Sequence, residues 1–369
     1  YGCLVGSEMC IRDSYNSDIS TNDIVSVEIT GSLVTRLGTD SFRDCSNLTS
    51  ITIPDSVTSI NGNVFRGCTS LSSMTIPDSV TSMGIANFMG CSSLASITLP
   101  TNSNFTSIPG HTFRGSALTS ITIPDSVTSI GDNAFYECTS LASVTLPTNS
   151  NFTTLGNYAF VRCASLASIT IPDSVTSIGS TIFYQCSSLA SVTIGNSVQS
   201  IGTRAFGFCS SLTSVTIPDS VTSIGDHAFW QCSNLASVTI GDSVTTIGIT
   251  AFYECAAITN ITLPDSLTEI GRQAFRRTGL TSIEIPDSVT QIDTGAFLEC
   301  SNLDVVYMSD SVRSTFSLTF GTNQSFFGVT TEIVNPVTIT FWGSQNGHDF
   351  SSYVSMPVHF NPDDLQTVA

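Results

Sequence analysis

The feature that most constrains this chain is a phenylalanine that recurs about every 23 residues. Its copies are Phe42, Phe65, Phe88, Phe113, Phe135, Phe160, Phe183, Phe206, Phe229, Phe252, Phe275 and Phe297. Each unit carries six or seven apolar side chains, which so short a segment cannot cover by itself. Neighbouring units must therefore stack and share a continuous core, which predicts a solenoid.

Each unit also contains a pattern that predicts one short strand. In the unit that begins at Leu48, Ile51 and Ile53 alternate with polar residues, which is typical of a strand with one buried face. The Pro-Asp-Ser sequence that follows is typical of a turn, which ends the strand. A glycine follows the last isoleucine of most units, as at Gly225, and we expect it to need a positive φ.

These residues resemble a known repeat family. Leu-x-x-Ile-x-Ile at a 23-residue period, together with Ala-Phe-x-x-Cys, is similar to the BspA-like leucine-rich repeats over residues 24–308. The resemblance implies an α/β-type repeat solenoid, a horseshoe with a parallel β-sheet of about 13 short strands between residues 26–29 and 305–308 and mostly irregular or short helical return segments. It also implies a non-catalytic scaffold, extracellular or at the cell surface, that adheres to proteins of a host or a neighbouring cell.

The two ends depart from the repeat. Residues 5–14 resemble a run produced by translation of sequencing-adapter reads, so we expect residues 1–23 to be an artefact or a disordered lead. Residues 309–369 lose the period, are rich in phenylalanine and contain a strand-like stretch at 337–341. We interpret them as a C-terminal cap or as the start of a truncated following segment.

The charge of the chain narrows the range of partners. The sequence has 29 acidic residues and 11 basic ones, all of them arginine, for a net charge of −18. Nucleic acids and anionic membrane surfaces are bound by clustered Lys and Arg, so we expect neither as a partner. No apolar run approaches the roughly 18 residues of a membrane span, so membrane insertion is not expected either.

Ten cysteines lie three residues after a marker phenylalanine and form one ladder. Stacked neighbours would be about 4.8 Å apart, but parallel side chains would hold their Cβ atoms too far apart for a disulfide. We therefore interpret the cysteines as buried free thiols that act as small apolar side chains.

The sequence predicts no catalytic, cofactor-binding or metal-binding residues. No HExxH, GxSxG or P-loop pattern occurs, and His111 and His227 lie five units apart, too distant to share a site. The turn acids, such as Asp173 and Asp219, form an edge ladder that would attract Ca²⁺ in another setting. Their pattern lacks ligands at several spacings, so we interpret them as solvated turn residues.

The outward strand positions are monotonous. Nine units repeat Ser-x-Thr, from Ser50 and Thr52 to Ser237 and Thr239. Such a face is either a recognition surface, a soluble surface that merely favours β-structure, or a regular array that orders water or meets ice. The last possibility is our alternative function, a structural or ice-interacting array.

Variation is concentrated at other positions. The residue after the marker phenylalanine becomes aromatic in several units, and Tyr307 interrupts the Ser-x-Thr pattern near its end. Aromatic side chains are enriched at interfaces, although packing between adjacent coils explains them equally well. The candidate partner-binding residues are Tyr136, Tyr184, Trp230, Tyr253 and Tyr307.

Overall fold

The computed structural model describes residues 23–29 and 33–309 and four strands beyond them. The four strands are Cys3–Val5 (β1), Glu8–Cys10 (β2), Val337–Trp342 (β27) and Pro357–Val358 (β28). The chain divides into two compact units, residues 1–197 and 198–369. Within each unit the repeats form a parallel β-solenoid of stacked coils.

The first strand of each coil follows the predicted alternation of polar and apolar residues. In the first unit these strands are Ser26–Glu28 (β3), Ser50–Thr52 (β5), Ser73–Thr75 (β7), Ser96–Thr98 (β9), Ser120–Thr122 (β11), Ser143–Thr145 (β13), Ser168–Thr170 (β15) and Ser191–Thr193 (β17). In the second unit they are Ser214–Thr216 (β19), Ser237–Thr239 (β21), Ser282–Ile285 (β24) and Val305–Ser309 (β26). Paired neighbours are parallel and in register, so Ser168 lies opposite Ser191.

Twelve of the thirteen predicted strands form in the described part of the chain. The 23-residue period places the thirteenth of these strands at residues 260–262, and no strand forms there. The coil still contacts its neighbour, because the Thr281 N–H donates to the Thr259 carbonyl at 3.0 Å. Asn260 stands where other coils have serine, and asparagine is disfavoured in strands.

Each coil also has a second strand of two residues, so the prediction of one strand per coil was wrong. These strands are Arg36–Leu37 (β4), Ser59–Ile60 (β6), Ser82–Met83 (β8), Ser107–Ile108 (β10), Ser129–Ile130 (β12), Thr154–Leu155 (β14), Ser177–Ile178 (β16), Ser200–Ile201 (β18), Ser223–Ile224 (β20), Thr246–Ile247 (β22), Glu269–Ile270 (β23) and Gln291–Ile292 (β25). They pair in parallel, as β20 does with β22. Two residues are too few to show a period in the sequence, which is why the pattern did not predict them.

The α/β class and the short helical returns were also wrong, because residues 33–309 form strands and turns and no helix. Around Phe229 the backbone N–H groups alternate between two acceptors. The Trp230 N–H donates to His227 in its own coil at 3.1 Å, whereas the N–H groups of Phe229 and Gln231 donate to the next coil at 2.8 Å. His227 and Gln231 both have a φ of 57°. This left-handed geometry directs alternate N–H groups to the next coil, whereas an α-helix bonds all of them within itself.

The core consists of side-chain ladders that run from coil to coil within each unit. The marker phenylalanines are buried, and successive rings stack at centroid separations of 5.1 to 5.7 Å. Leu48, Val57, Ile60 and Phe65 of one coil are at most 1% exposed. The predicted burial of the repeated apolar positions in a shared core is therefore confirmed.

The glycine after the last isoleucine serves a different purpose from the predicted one. Gly225 does not have a positive φ. A Cβ atom at this position would lie 2.7 Å from the Ile201 carbonyl oxygen of the preceding coil. The glycine is needed because two backbones approach closely here, which is a second general reason for glycine in repeats.

The outermost described strands extend the sheets. β1 and β2 pair antiparallel, and β2 pairs in parallel with β4. β27 pairs in parallel with β26 and antiparallel with β28. A strand at the predicted 337–341 stretch is therefore confirmed. The rest of residues 1–22 and 310–369, on which the predicted lead and cap depend, lies outside the described residues.

Candidate functional site

The outward side of the first strands is a uniform polar surface, which we call the strand face. Ser214 and Thr216 are exposed while Val215 between them is 3% exposed. Ser214 lies in register with Ser237 and Thr216 with Thr239. The strand face therefore presents the same two hydroxyl groups in successive coils.

Within each unit, the residues directly after the marker phenylalanines lie along a second surface, which we call the turn row. Its members are Arg43, Arg66, Met89, Arg114, Tyr136, Val161, Tyr184, Gly207, Trp230, Tyr253, Arg276 and Leu298. Phe229 and Phe252 are buried, and the residue after each of them turns outward and is half-buried. In these coils the turn-row side chain can therefore vary without changing the core, whereas Val161 of the turn row is 3% exposed and belongs to the core.

In the second unit the turn row carries a group of rings that contact one another. The Trp230 ring lies 4.8 Å from the Phe208 ring at an interplanar angle of 64°, and 6.5 Å from the Tyr253 ring at 65°. His227 lies 5.5 Å from Trp230. We call Phe208, Trp230 and Tyr253 the aromatic cluster. Edge-to-face contacts of this kind are favourable and hold rings in fixed orientations.

Two arginines continue the aromatic cluster into the following coil. The Arg276 guanidinium lies 5.5 Å from the centroid of the Tyr253 ring, a cation–π contact. Arg277 donates to the Tyr253 hydroxyl at 3.3 Å and to Glu254 at 2.7 Å. Tyr253 is thus fixed by an aromatic neighbour on one side and by guanidinium groups on the other.

A polar ladder runs beside the aromatic cluster. Gln231 donates to Glu254 at 2.6 Å, and Glu299 accepts hydrogen bonds from Arg276, at 2.6 Å, and from Arg277. Burial disfavours the ionised form of Glu254, but hydrogen bonds from Arg277, Tyr253 and Gln231 outweigh it and lower its pKa. The negative charges of these two carboxylates are therefore balanced by the positive charges of two guanidinium groups beside the rings.

His227 contributes a neutral ring at one side of the cluster. Its Nδ1 atom is hydrogen-bonded to the Thr250 hydroxyl. Burial and the positive charge of Arg204 lower the pKa of His227. The imidazole is consequently uncharged at neutral pH and packs against Trp230 as an aromatic ring.

The structure places the five candidate residues in different surroundings. Trp230 and Tyr253 contact each other. Tyr136 is half-buried under the Arg114 guanidinium, 4.6 Å from its ring centroid, and Tyr184 is half-buried two coils further on. Tyr307 lies on the strand β26, in register with Glu284, and not on the turn row.

Sequence reasoning missed Phe208, Arg276 and Arg277. Phe208 lies two residues after its marker phenylalanine, one position beyond the turn row, so a search of a single repeat position does not find it. Its contact with Trp230 depends on the left-handed φ of 61° at Phe208. The basic pair Arg276–Arg277 is visible in the sequence, but its contact with Tyr253 follows only from the stacking of coils.

The cysteine ladder lies inside the turn segment, and all ten repeat cysteines are free thiols. The Cys232 thiol donates to the Phe206 carbonyl of the preceding coil at 3.1 Å. Burial raises the pKa of Cys232 to about 12. Ser116 and Thr278 replace cysteine in two coils, and they contact Cys138 and Cys300 of the next coil through their hydroxyl groups. A buried thiol such as Cys232 therefore stays protonated at neutral pH and is a weak nucleophile.

The turn acids join coils, so their interpretation as merely solvated residues was incomplete. An Asp173 carboxylate oxygen accepts the Asn196 N–H at 2.7 Å, and Asp219 accepts the Asp242 N–H at 3.0 Å. Among the described residues, no three His, Cys, Asp or Glu side chains are placed to hold a metal ion. In the same part of the chain, no helix has the length and apolar character needed to cross a bilayer.

The fold and these two surfaces define a parallel β-solenoid built from leucine-rich coils. A family model described as the BspA type leucine rich repeat region, in six copies, matches residues 19–115, 106–236 and 222–339. These matches cover most of the chain, so the protein belongs to the BspA type leucine-rich repeat family. No match was found among curated proteins.

Solved structures of bacterial repeat proteins are similar to this chain. A leucine-rich repeat protein from Bacteroides ovatus ATCC 8483 is 29% identical, with a TM-score of 0.58 over 91% of this chain and 94% of that chain. The pneumococcal vaccine antigen PcpA is 20% identical, with a TM-score of 0.53 over 84% of this chain and 79% of that one, and shares the fold. A leucine rich cell surface protein from Faecalibacterium prausnitzii A2-165 is 28% identical, with a TM-score of 0.44 over 79% and 81% of the two chains.

Proposed function

We propose that this protein is a non-catalytic protein-binding scaffold and that the aromatic cluster is its principal binding surface. The observation that carries this proposal is the mutual contact of Phe208, Trp230 and Tyr253, with Arg276 against the last ring. Trp, Tyr and Arg are the residues in which the binding energy of protein interfaces is concentrated. Rings that are already fixed lose little conformational entropy when a partner binds.

The other candidates serve as secondary contacts in this proposal. Tyr136 and Tyr184 lie on the turn row of the first unit, and Tyr307 lies on a strand of the second. We place the protein outside the cell or at the cell surface, with a protein or cell-surface ligand as partner and adhesion as the role, as the family resemblance implies. Residues 309–369 are, in this proposal, either a C-terminal cap of the repeats or the start of a following segment.

The strand face supports the alternative function. Its exposed serine and threonine hydroxyls lie in register, which favours a structural array or one that orders water and meets ice or another surface. Identical rungs bind a partner equally well in any register, so association would be weak and polyvalent. The aromatic cluster has no such repeat and favours one defined complex.

A displayed library of random peptides tests the two surfaces against each other. Peptides are selected on the immobilised chain and titrated by surface plasmon resonance. We expect the selected peptides to lose about tenfold or more in affinity for the Trp230→Ala, Tyr253→Ala double variant, since such a loss is about 1.4 kcal/mol and typical of one anchor residue. A Thr216→Val, Thr239→Val variant should bind within about twofold of the native chain, since it keeps the β-propensity and loses only hydroxyl groups.

The matched comparison is Tyr136→Ala, Tyr184→Ala, which removes two turn-row aromatics of the first unit. Because these are secondary contacts, this variant should lose less affinity than Trp230→Ala, Tyr253→Ala. Circular dichroism and thermal unfolding verify that each variant is folded. If the valine variant binds more weakly while the Trp230→Ala, Tyr253→Ala variant binds like the native chain, recognition lies on the strand face and the proposal is wrong.

A further inference from the structure

We infer that the cysteine ladder is a redox-sensitive device built into the fold: a disulfide oxidant traps coils that have opened and prevents them from closing again. The ladder consists of the ten repeat cysteines, Cys45, Cys68, Cys91, Cys138, Cys163, Cys186, Cys209, Cys232, Cys255 and Cys300. Because these thiols lie in the core, the device operates whether or not the proposed binding surface has a partner.

The folded coils protect the thiols from an oxidant. Nine of the ten cysteines are 0% exposed, and Cys300 is half-buried. Burial raises the pKa of Cys232 to about 12, from 9.0 in an exposed thiol. The thiolate is the form that attacks a disulfide, and at pH 8 it is about a thousandfold rarer in the folded coil than in an opened one. Burial also keeps the oxidant itself away from the sulfur.

The folded geometry also keeps neighbouring thiols from pairing with each other. The Cys232 thiol donates to the Phe206 carbonyl at 3.1 Å, and the Cys255 thiol donates to the Phe229 carbonyl at 3.1 Å. Each thiol is thus directed at the backbone of the preceding coil. The rings of Phe229 and Phe252, three residues before these cysteines, are 5.3 Å apart. A disulfide needs Cβ atoms about 3.5 to 4.5 Å apart, which in-register neighbours at this coil spacing do not reach.

The pairs that the fold forbids are the pairs that an opened chain favours. Coils of a solenoid contact only their neighbours, so a few coils open without the rest. Cys232 and Cys255 are 23 residues apart in the chain. Opening of these two coils frees both thiols on one short loop, and short loops close more often than long ones. The repeat therefore gives most pairs of neighbouring coils a disulfide that forms only when they are open.

The chemistry is an ordinary thiol–disulfide exchange with oxidised glutathione as the oxidant. The thiolate of an opened Cys232 attacks one glutathione sulfur, which forms a mixed disulfide and releases one reduced glutathione. The Cys255 thiolate then attacks the Cys232 sulfur and releases the second. Two cysteines are oxidised, one glutathione disulfide is reduced, and the two cysteine protons go to the two glutathione thiols. Trp230 and Tyr253 lie two residues before these cysteines, so the aromatic cluster is lost while the coils stay open.

Two coils without cysteine interrupt the ladder and provide an internal comparison. Ser116 separates Cys91 from Cys138, which are 47 residues apart, and Thr278 separates Cys255 from Cys300, which are 45 residues apart. A loop of twice the length closes about threefold less often. We therefore expect disulfides mainly between neighbours within the two runs, residues 45–91 and 138–255.

Oxidation of the full chain at two degrees of opening tests the inference. The chain is incubated with oxidised glutathione at pH 8, once in buffer and once at its urea midpoint. After alkylation under denaturing, non-reducing conditions, peptide mass spectrometry follows the ten repeat cysteines separately from Cys3 and Cys10. We expect their oxidation to be about a hundredfold or more faster at the midpoint. Each neighbour pair, such as Cys232–Cys255, should form about threefold faster than a pair across Ser116 or Thr278.

Removal of urea tests whether the trap is one-way. Circular dichroism should show that the reduced chain refolds, whereas the oxidised chain refolds only after dithiothreitol is added. The matched control is Cys68→Ser, Cys163→Ser, Cys209→Ser, Cys255→Ser, which removes every neighbour pair and leaves six repeat cysteines. Serine is chosen because Ser116 already fills a ladder position, buried and in contact with Cys138. The control should lose its ability to refold about threefold more slowly.

Four results would overturn the inference. Equal oxidation rates in buffer and at the midpoint would mean that the coils do not protect the thiols. Refolding of the oxidised chain without a reductant would mean that the disulfides fit the closed coils. Pairs across Ser116 or Thr278 that form as fast as neighbour pairs would remove the role of the period, and so would a control that is trapped as fast as the native chain. If the control does not fold, the disulfide map of the native chain decides alone.

Discussion

On the strand face, Ser214 and Thr216 lie opposite Ser237 and Thr239, whereas the turn row of the same coils carries Trp230 and Tyr253. Both surfaces belong to the same backbone ladder, and both lie next to buried side chains. One surface repeats itself and the other changes in almost every coil. The difference indicates where this solenoid tolerates variation and where it does not.

The strand face is uniform because β-structure selects for it. Threonine favours strands, and identical residues in register fit the parallel pairing without adjustment. The turn row is held by its backbone and does not depend on the identity of its outward side chains. Its backbone is fixed by bonds between coils and by two left-handed residues, such as His227 and Gln231, so the outward side chain between them takes little part in holding the coil.

The largest expected effect concerns the thiols inside the turn segment. Burial raises the pKa of Cys91, Cys186 and Cys232 to about 12, from 9.0 in an exposed thiol. The stabilising contribution is complete below pH 9 and is lost as pH rises toward 12, because the unfolded chain then releases protons that the folded chain keeps. For each such thiol, the free energy of unfolding falls by about 1.4 kcal/mol for every pH unit above pH 9.

Urea unfolding at pH 8, 9 and 10 in the presence of a reducing agent measures this loss. Cys186→Ala should make the decline with pH shallower, whereas Thr193→Ala on the strand face should leave the slope unchanged. A urea midpoint that stays constant up to pH 10 would show that the thiols are not protonated and buried as the structure has them.

The next effect compares a ladder residue of the turn segment with a strand-face residue. Phe229 is buried between Phe206 and Phe252, at 5.3 Å from each ring. Phe229→Ala should cost about 3 to 5 kcal/mol of unfolding free energy in urea, the range for deletion of a buried aromatic side chain. Thr216→Ala should change it by no more than about 0.5 kcal/mol, because the side chain is exposed. Equal costs would mean that the two faces are assigned wrongly.

The smallest of the three effects concerns the close approach of neighbouring coils. A Cβ atom on Gly84 would lie 2.5 Å from the Gly62 nitrogen. Gly84→Ala should therefore lower the free energy of unfolding, measured by thermal denaturation, by about 1 to 3 kcal/mol. A Cβ atom on Gly62 would meet its nearest atom at 3.6 Å, an ordinary contact. Gly62→Ala is therefore the matched control and should be nearly neutral. A neutral Gly84→Ala would show that the coils separate more easily than their hydrogen bonds indicate.

The candidate site was partly visible in the sequence. Trp230 and Tyr253 occupy the same repeat position in successive coils, and stacking alone predicts that they are neighbours. Phe208 was not predictable in this way, because it belongs to the next position and reaches Trp230 only through a left-handed turn. Arg277 joins Tyr253, Glu254 and Glu299 across three coils, which no single repeat shows.

The period, the apolar positions and the family were determined by the sequence itself, because a 23-residue unit with this many apolar side chains can be buried only by stacking. The second strands, the two left-handed positions of each coil and the reason for glycine at position 225 were decided by the tertiary structure. Each of these depends on hydrogen bonds or close contacts between coils, as in the bond from Phe229 to Ala251. Such contacts join residues about 23 positions apart, so no local pattern records them.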